Sequence, residues 1–377
     1  MKFLVSAVVL VGLAQAQVKG KAQGFGRLTT GGGTATPQIP TSLAQLETWL
    51  TDATPRVIMI NKTWDFSSSQ GTTSTTCCPN SCQPNGQLWI MDTCDSTRVA
   101  CKYNNAPKNP IAIASNKSLV GVGSAGVIKG RGLRMINGVN NIIIQNIHFT
   151  GLNPEYVWGG DAITLDGTDN IWIDHCKFSL IGRQMIVSGW GAAGRVTISN
   201  NEFDGKTSWS ASCNGKHYWM MLLIGVKDFY TFSGNYVHDA SGRAPHMGTD
   251  KTASRILFHG VGNYFKDVGG HAFDIDVGTN VLLEGNYFDS VSEPITAPSL
   301  TKSTLMSIVT VADAQLCQAK LGYVCEWNRL VNSGSFPSKT STALLDAFAP
   351  WKNSLVAHVP VADVPKTVLA NAGIGKI

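Results

Sequence analysis

Charge is scarce in this sequence: Asp, Glu, Lys and Arg make up 15% of its 377 residues, and the formal balance is +5. No run of five or more basic residues occurs, so the electrostatic footprint of nucleic-acid binding is missing. A mildly basic surface tolerates an acidic polymer without demanding one. Beyond the N-terminus no apolar run is long enough to cross a bilayer, which takes about 20 residues, and no membrane partner is expected. The cysteines contain no C-x-x-C pair and have no His close by, which argues against zinc. Asn-Gly turns between apolar runs are few, which argues against a hairpin-built sandwich, whose strands recur every ~8–12 residues.

What is present begins with a leader. Lys2, an apolar stretch from Phe3 to Leu13 and small residues at Ala14 and Ala16 form a secretory signal with cleavage expected after Ala16. The chain is therefore expected to be secreted and extracellular, with residues 17–377 as one domain. The nine cysteines fit that compartment. Cys77, Cys78, Cys82, Cys94 and Cys101 crowd together, and Cys213, Cys317 and Cys325 follow as further disulfide candidates. Cys317 and Cys325 are close enough to close a small loop. Nine is odd, and Cys176, in an apolar strand-like stretch, is the expected free and buried thiol. The sequons at Asn61 and Asn116 are candidate glycosylation sites.

Residues from Gln17 to about Pro40 read as an extended arm rich in Gly, Thr and Pro. A capped, apolar-periodic segment over 41–50 predicts a short helix, and the apolar run Arg56–Ile60 a buried strand. An internal repeat then decides the fold. Six segments, 141–150, 170–179, 195–204, 229–238, 255–266 and 280–289, each alternate apolar residues, turn a polar corner and end on Phe149, Phe178, Phe203, Val237, Phe265 or Phe288. The spacings are 29, 25, 34, 28 and 23 residues. A coil of that size cannot bury its own apolar face and does so by stacking on the next. Irregular spacing means insertions that collect as loops on one face. Asn201, Asn235, Asn263 and Asn286 recur two residues before the terminal position, where stacked amides can hydrogen-bond up the column. The expected fold is all-β: a right-handed single-stranded parallel β-helix with a short N-terminal helix and irregular loops forming a cleft. After Ser292 the repeat is lost, and the tail, with an apolar-periodic segment near 343–348, is expected to pack along the side.

Four polar stretches stand beside the repeat: 157–164 with Trp158 and Asp161, 181–184 with Arg183, 213–219 with Tyr218 and Trp219, and 241–246 with Arg243 and His246. With the Gly-rich arm at 31–37, the Trp172–His175 strand and the Gly270–Phe273 stretch, the sequence resembles the fungal pectin lyases of the pectate lyase superfamily from about Gly24 to its end. That resemblance implies calcium-independent β-elimination of α-1,4-linked, methyl-esterified galacturonan (pectin) to 4,5-unsaturated oligogalacturonides, with no cofactor, by a protein that acts as a monomer. It maps the proton-abstracting arginine onto Arg243. An arginine is an unexpected base, because its pKa exceeds about 12, and only a small unprotonated fraction can react; the plainer reading is a substrate-binding fork. Arg183 maps onto a second cleft cation, able to steady the charge that builds on the C6 carbonyl, or else onto a structural ion pair with Asp161. Asp161, an acidic cleft residue in the family, either orients one of the arginines or is a ligand-free structural anchor. Trp158, Trp219 and Tyr218 are expected to bind substrate, since aromatic faces suit sugar rings and methyl esters; Trp89 is a weaker candidate. His246 departs from the family, which commonly has Lys there, and can still carry charge at acidic pH. His175 lies in a repeat strand and reads as structural.

The alternatives are a calcium-dependent pectate lyase, a β-helix hydrolase and a non-catalytic cell-wall-binding β-helix. The first needs several converging carboxylates, which Arg183 opposes. The second needs paired carboxylates, and the repeat region holds neither Asp-Asp nor Gly-His-Gly.

Overall fold

The structure is a computed structural model that describes residues 17–82, 85–91, 94, 97–251 and 253–377. The proposed leader, residues 1–16, lies outside the described residues.

The apolar alternation of the repeat becomes parallel strands stacked coil on coil. They form a 16-stranded sheet and a nine-stranded sheet. The larger sheet is two faces joined by the long strands Leu133–Gln145 and Ile163–Asp174, which bend where the register shifts between Ile136 and Val139. Its first face runs through the strands Ile186–Ser188, Met221–Leu223, His246–Met247, His271–Ile275 and Glu293–Ile295; its second runs through Gly194–Ser199, Asp228–Ser233, Ile256–Val261, Thr279–Glu284 and Thr304–Ser307. The fold is the expected parallel β-helix.

The core is built from in-register ladders. Phe149, Phe178 and Phe203 stack at 5.5 and 5.1 Å, and Phe265 on Phe288 at 4.9 Å, all fully buried; each such side chain contributes about 1.5–3 kcal/mol by leaving water. The asparagine column forms as well. Asn235 Oδ1 accepts from the backbone N–H and the side-chain amide of Asn201, both at 3.0 Å, and Asn263 and Asn286 repeat the pattern. Asn328 extends it by one rung. Cys176 fills the rung before Asn201, donating its backbone N–H to Asn201 Oδ1. It is the buried free thiol, with its pKa pushed up to about 12 by burial.

The expected helix spans Leu43–Thr51, capped by Ser42, and the strand Arg56–Ile60 is present. The repeat reaches further than the six segments in both directions. Thr63–Asp65 and Val127–Lys129 precede them in the nine-stranded sheet, and Arg329–Val331 follows. This corrects the expectation that the repeat ends at Ser292: strands Glu293–Ile295 and Thr304–Ser307 continue both faces. Those rungs lack the aromatic terminal residue, and an inserted helix, Val311–Leu321, separates them from the last one. That helix and the helix Thr342–Phe348 cover Leu257, Leu282 and Met306 on the second face. The last helix, Val364–Asn371, covers Tyr236, Tyr264 and Tyr287 on the nine-stranded sheet. The N-terminal arm lies across the second face, where Gly24, at φ +67, leaves no room for a Cβ beside Thr231, and Phe25 is buried against Phe229 and Trp351.

Four disulfides pair Cys77 with Cys101, Cys78 with Cys94, Cys82 with Cys213 and Cys317 with Cys325. The first two staple a loop that includes an antiparallel ribbon of Thr72–Cys77 with Val99–Asn104, and the third ties that loop to the segment before the strand Met221–Leu223. Of the sequons, Asn61 is exposed, and Asn116 is half-buried with its amide oxygen held by Asn141.

Candidate active site

The outward side chains of the first face form a row along the stack, set by strand register: Arg134, Thr164, Val187, Leu222, His246 and Asp274. Their neighbours in each strand, such as Ile163, Ile186, Met221 and Met247, are fully buried in the core. This row is the floor of a groove. Its edge is formed by residues just upstream of these strands. Trp219, Arg243 and His271 stand three residues before Leu222, His246 and Asp274, and Arg243 lies against Trp219.

Arg243 adopts a left-handed backbone, φ 49, just before the cis peptide Ala244–Pro245. Its guanidinium carbon lies 4.9 Å from the Trp219 ring centre and 5.8 Å from that of Tyr218. Among the described residues it makes no ion pair, and its Nε is buried without a hydrogen-bond partner. Arg183 is the opposite case. Its Nε and one Nη donate to the two oxygens of Asp161 at 2.9 and 2.6 Å, and its guanidinium lies 4.0 Å over Trp158. Asp161 also accepts from the Gln184 backbone at 2.8 Å. Arg183 and Arg243 stand two coils apart, about 10 Å at the usual strand spacing.

Two residues without an assigned role in the sequence brace this edge. Gln87, fully buried, donates to the carbonyls of Pro154 and Gly182 at 3.0 and 2.9 Å and accepts from Trp219 Nε1 at 3.1 Å. His217 donates from Nε2 to the carbonyls of Arg183 at 2.7 Å and Trp219 at 3.2 Å; burial depresses its pKa from 6.5 to about 4. Trp89 meets Trp219 edge-on at 5.5 Å, so it belongs to the aromatic wall. His246 Nδ1 is 2.5 Å from Asp274 Oδ2. Burial alone would push the Asp274 carboxyl up, but the hydrogen bond from His246 and the neighbouring imidazoles pull it below the usual carboxylate range. His271 faces Tyr218 edge-on at 5.7 Å, with its pKa lowered by burial. His271 and Asp274 fall in the Gly270–Phe273 neighbourhood of the sequence, yet nothing there marks their approach to Arg243, which depends on coil register. His175 stands at the corner just past the strand Ile163–Asp174, with φ 49, rather than within it, and is tied to Asp174 at 2.7 Å.

The structure brings Trp158, Asp161 and Arg183 together, and Tyr218, Trp219, Arg243 and His246 two coils along the same groove. Calcium would need six to eight oxygen ligands. Here Asp161 is committed to Arg183 and Asp274 to His246. Among the described residues the one cluster of three potential metal ligands, Glu202, Asp204 and His238, lies on the nine-stranded sheet, and Lys177 bonds both of its carboxylates. The groove residues do not fit a resident calcium ion.

Fold and site together define a parallel β-helix protein with a cationic, aromatic-walled groove along its stack. The chain belongs to the pectate lyase family: the family model described as "Pectate lyase" matches residues 1–302. Among curated relatives, the chain is 61% identical over 370 residues to a probable pectin lyase F-1 of Aspergillus terreus, covering 96% of this chain and 95% of the relative. It is 59% identical over 386 residues to a probable pectin lyase F of Neosartorya fischeri, covering 100% of both. Among solved structures, a Bacillus pectate lyase in complex with trigalacturonate superposes with a TM-score of 0.61 at 20% identity, covering 94% of this chain and 99% of that one. At that identity it supports the fold alone.

Proposed function

We propose that this protein is a secreted, monomeric pectin lyase that cleaves methyl-esterified homogalacturonan by β-elimination without calcium. The observation that carries the reading is the contrast between the two arginines. Arg183 is locked to Asp161, while Arg243 makes no ion pair among the described residues and lies against the rings of Trp219 and Tyr218. A guanidinium without an ion pair at the edge of a groove is available to substrate. The close relatives named as probable pectin lyases support the same reading.

In this account the small neutral fraction of Arg243 takes the proton from C5 of the ring bound beside it and becomes the guanidinium. The electron pair forms the C4=C5 double bond, the C4–O4 bond breaks, and O4 leaves with a proton from water. Arg183, oriented by Asp161, stabilises the negative charge that builds on the C6 carbonyl. Trp158, Trp219 and Tyr218 seat sugar rings and methyl esters. Val187 and Leu222 supply an apolar patch on the floor, which suits an esterified rather than a free carboxylate. His246, fixed by Asp274, binds substrate beside Arg243. Four disulfides fit an extracellular destination, and the covering of the two lateral sheets by the arm and the tail helices fits a monomer.

The test is incubation with highly methylated pectin and with polygalacturonate, each with and without EDTA, followed by the ultraviolet absorbance of the unsaturated uronide. Product from methylated pectin that is indifferent to EDTA is expected. Activity confined to polygalacturonate and abolished by EDTA would replace this reading with the calcium-dependent one; no absorbing product from either would favour a non-catalytic binder.

A further inference from the structure

The groove changes character along its length. Its floor is apolar at Val187 and Leu222, then gives way to Thr164 and Arg134. Around Arg134 it widens into a pocket of about 260 Å³. Lys108, Arg134, Trp158, Asp161, Thr164 and Arg183 contribute to the lining. Arg183 and Asp161 cancel as a pair. Arg134 and Lys108 make no ion pair among the described residues, and the Nε of Arg134 is buried with no hydrogen-bond partner. Among the described residues Lys108 Nζ meets the Tyr103 hydroxyl at 3.3 Å and the face of its ring. Two uncompensated cations therefore share one concave site, and one of them keeps an unused buried donor. The buried Nε of Arg134 is left short of an acceptor that an anion in the pocket would supply. Trp158, 38% exposed, offers its ring at the rim.

The geometry points to a subsite at this end of the groove for an unesterified galacturonate, whose free carboxylate pairs with Arg134 and Lys108. The inference rests on the lyase reading for its substrate class and deepens it. The floor register puts Arg134 four coils from His246, about 19 Å along the stack. Arg134 lies two coils beyond the coil of Arg183 and four beyond that of Arg243, so the charged ring lies on the side of Arg183 away from Arg243. The preferred substrate is pectin of mixed esterification: esterified at the elimination site and free at a ring several units along the chain.

The experiment compares fully methylated pectin with the same pectin partly de-esterified at random by base, using wild type, Arg134→Gln and Lys108→Gln. Two readouts are taken: KM for release of the unsaturated uronide, and calorimetric affinity for fully methylated and fully de-esterified oligogalacturonides. For each variant the KM on partly de-esterified pectin is expected to rise about tenfold, the worth of a charge-assisted hydrogen bond, while that on fully methylated pectin moves by less than about twofold. Affinity for the de-esterified oligomer falls in parallel, and salt erodes the wild-type advantage. Equal effects on both substrates, or none on either, would overturn the subsite. Lys108→Gln, on a partly exposed side chain, keeps the test open if Arg134→Gln does not fold. Failure to release unsaturated product would count against the lyase reading, while the calorimetric difference would still decide the subsite.

Discussion

Arg183 and Asp161 meet fork to fork, with N–O distances of 2.9 and 2.6 Å, and the Arg183 guanidinium carbon lies 4.0 Å from the Trp158 ring centre. A bidentate pair fixes the plane of the guanidinium as well as its charge, which is what a group that stabilises a developing enolate requires.

Arg183→Ala should therefore lower kcat by a factor of about 10²–10³, the usual cost of one such donor. Added Ca²⁺ should not restore it, because Asp161 alone cannot ligate the ion. Asp161→Asn should cost less, since the cation remains but loses its clamp. Steady-state kinetics on methylated pectin, with and without Ca²⁺, checks both.

The asparagine column makes a stability prediction. Asn235 accepts two hydrogen bonds from Asn201 and donates to Ile198 O and Asn263 Oδ1, with all four groups buried. Asn235→Ala strands donors on one side and acceptors on the other, at about 1–3 kcal/mol for each group left unpaired. A loss of at least about 3 kcal/mol is expected, measured by urea unfolding. A change within about 0.5 kcal/mol, the range of ordinary surface substitutions, would mean the column is not structural.

His217 makes acid sensitivity predictable. Its folded pKa, about 4, lies below its ordinary 6.5 because it is buried. The unfolded chain therefore binds the proton more readily. The stability this residue supports is present above pH 6.5 and is lost as the pH falls toward 4, by at most about 3 kcal/mol. His148, also depressed to about 4 by burial, acts in the same direction. His217→Gln should be less stable than wild type at neutral pH and should lose less on acidification. Thermal unfolding across that window checks the slope; parallel curves for the two proteins would exclude His217 as a source.

Much of the scaffold is legible in the sequence because the coil repeats. Phe149, Phe178 and Phe203 announce the stack, the asparagines announce its corner, and Cys176 stands out as the odd thiol. The rungs after Ser292 are hidden because they drop the aromatic signal and are split by the helix Val311–Leu321. The site was legible residue by residue, through resemblance, but not as an assembly. The pair of Arg183 with Asp161 was one of the sequence readings; that Arg243 lies against Trp219 and Tyr218 depends on how neighbouring coils meet, which loop lengths set. Gln87 reaches Trp219 from a loop fastened by Cys82 to Cys213, 131 residues away. No local pattern encodes a contact of that kind.

The central claim is that Arg243 is the base, and the Arg243→Lys variant tests it most directly. Lysine keeps the charge but replaces the planar fork with a point charge on a flexible stem. Turnover on highly methylated pectin and binding of pectin oligomers should be measured side by side on folded protein. The account predicts that binding persists while turnover falls by a factor of about 10²–10⁴, the usual contribution of a general base. Retention of more than about a tenth of wild-type turnover, well outside that range, would make Arg243 a substrate binder and move the search for the base to His246.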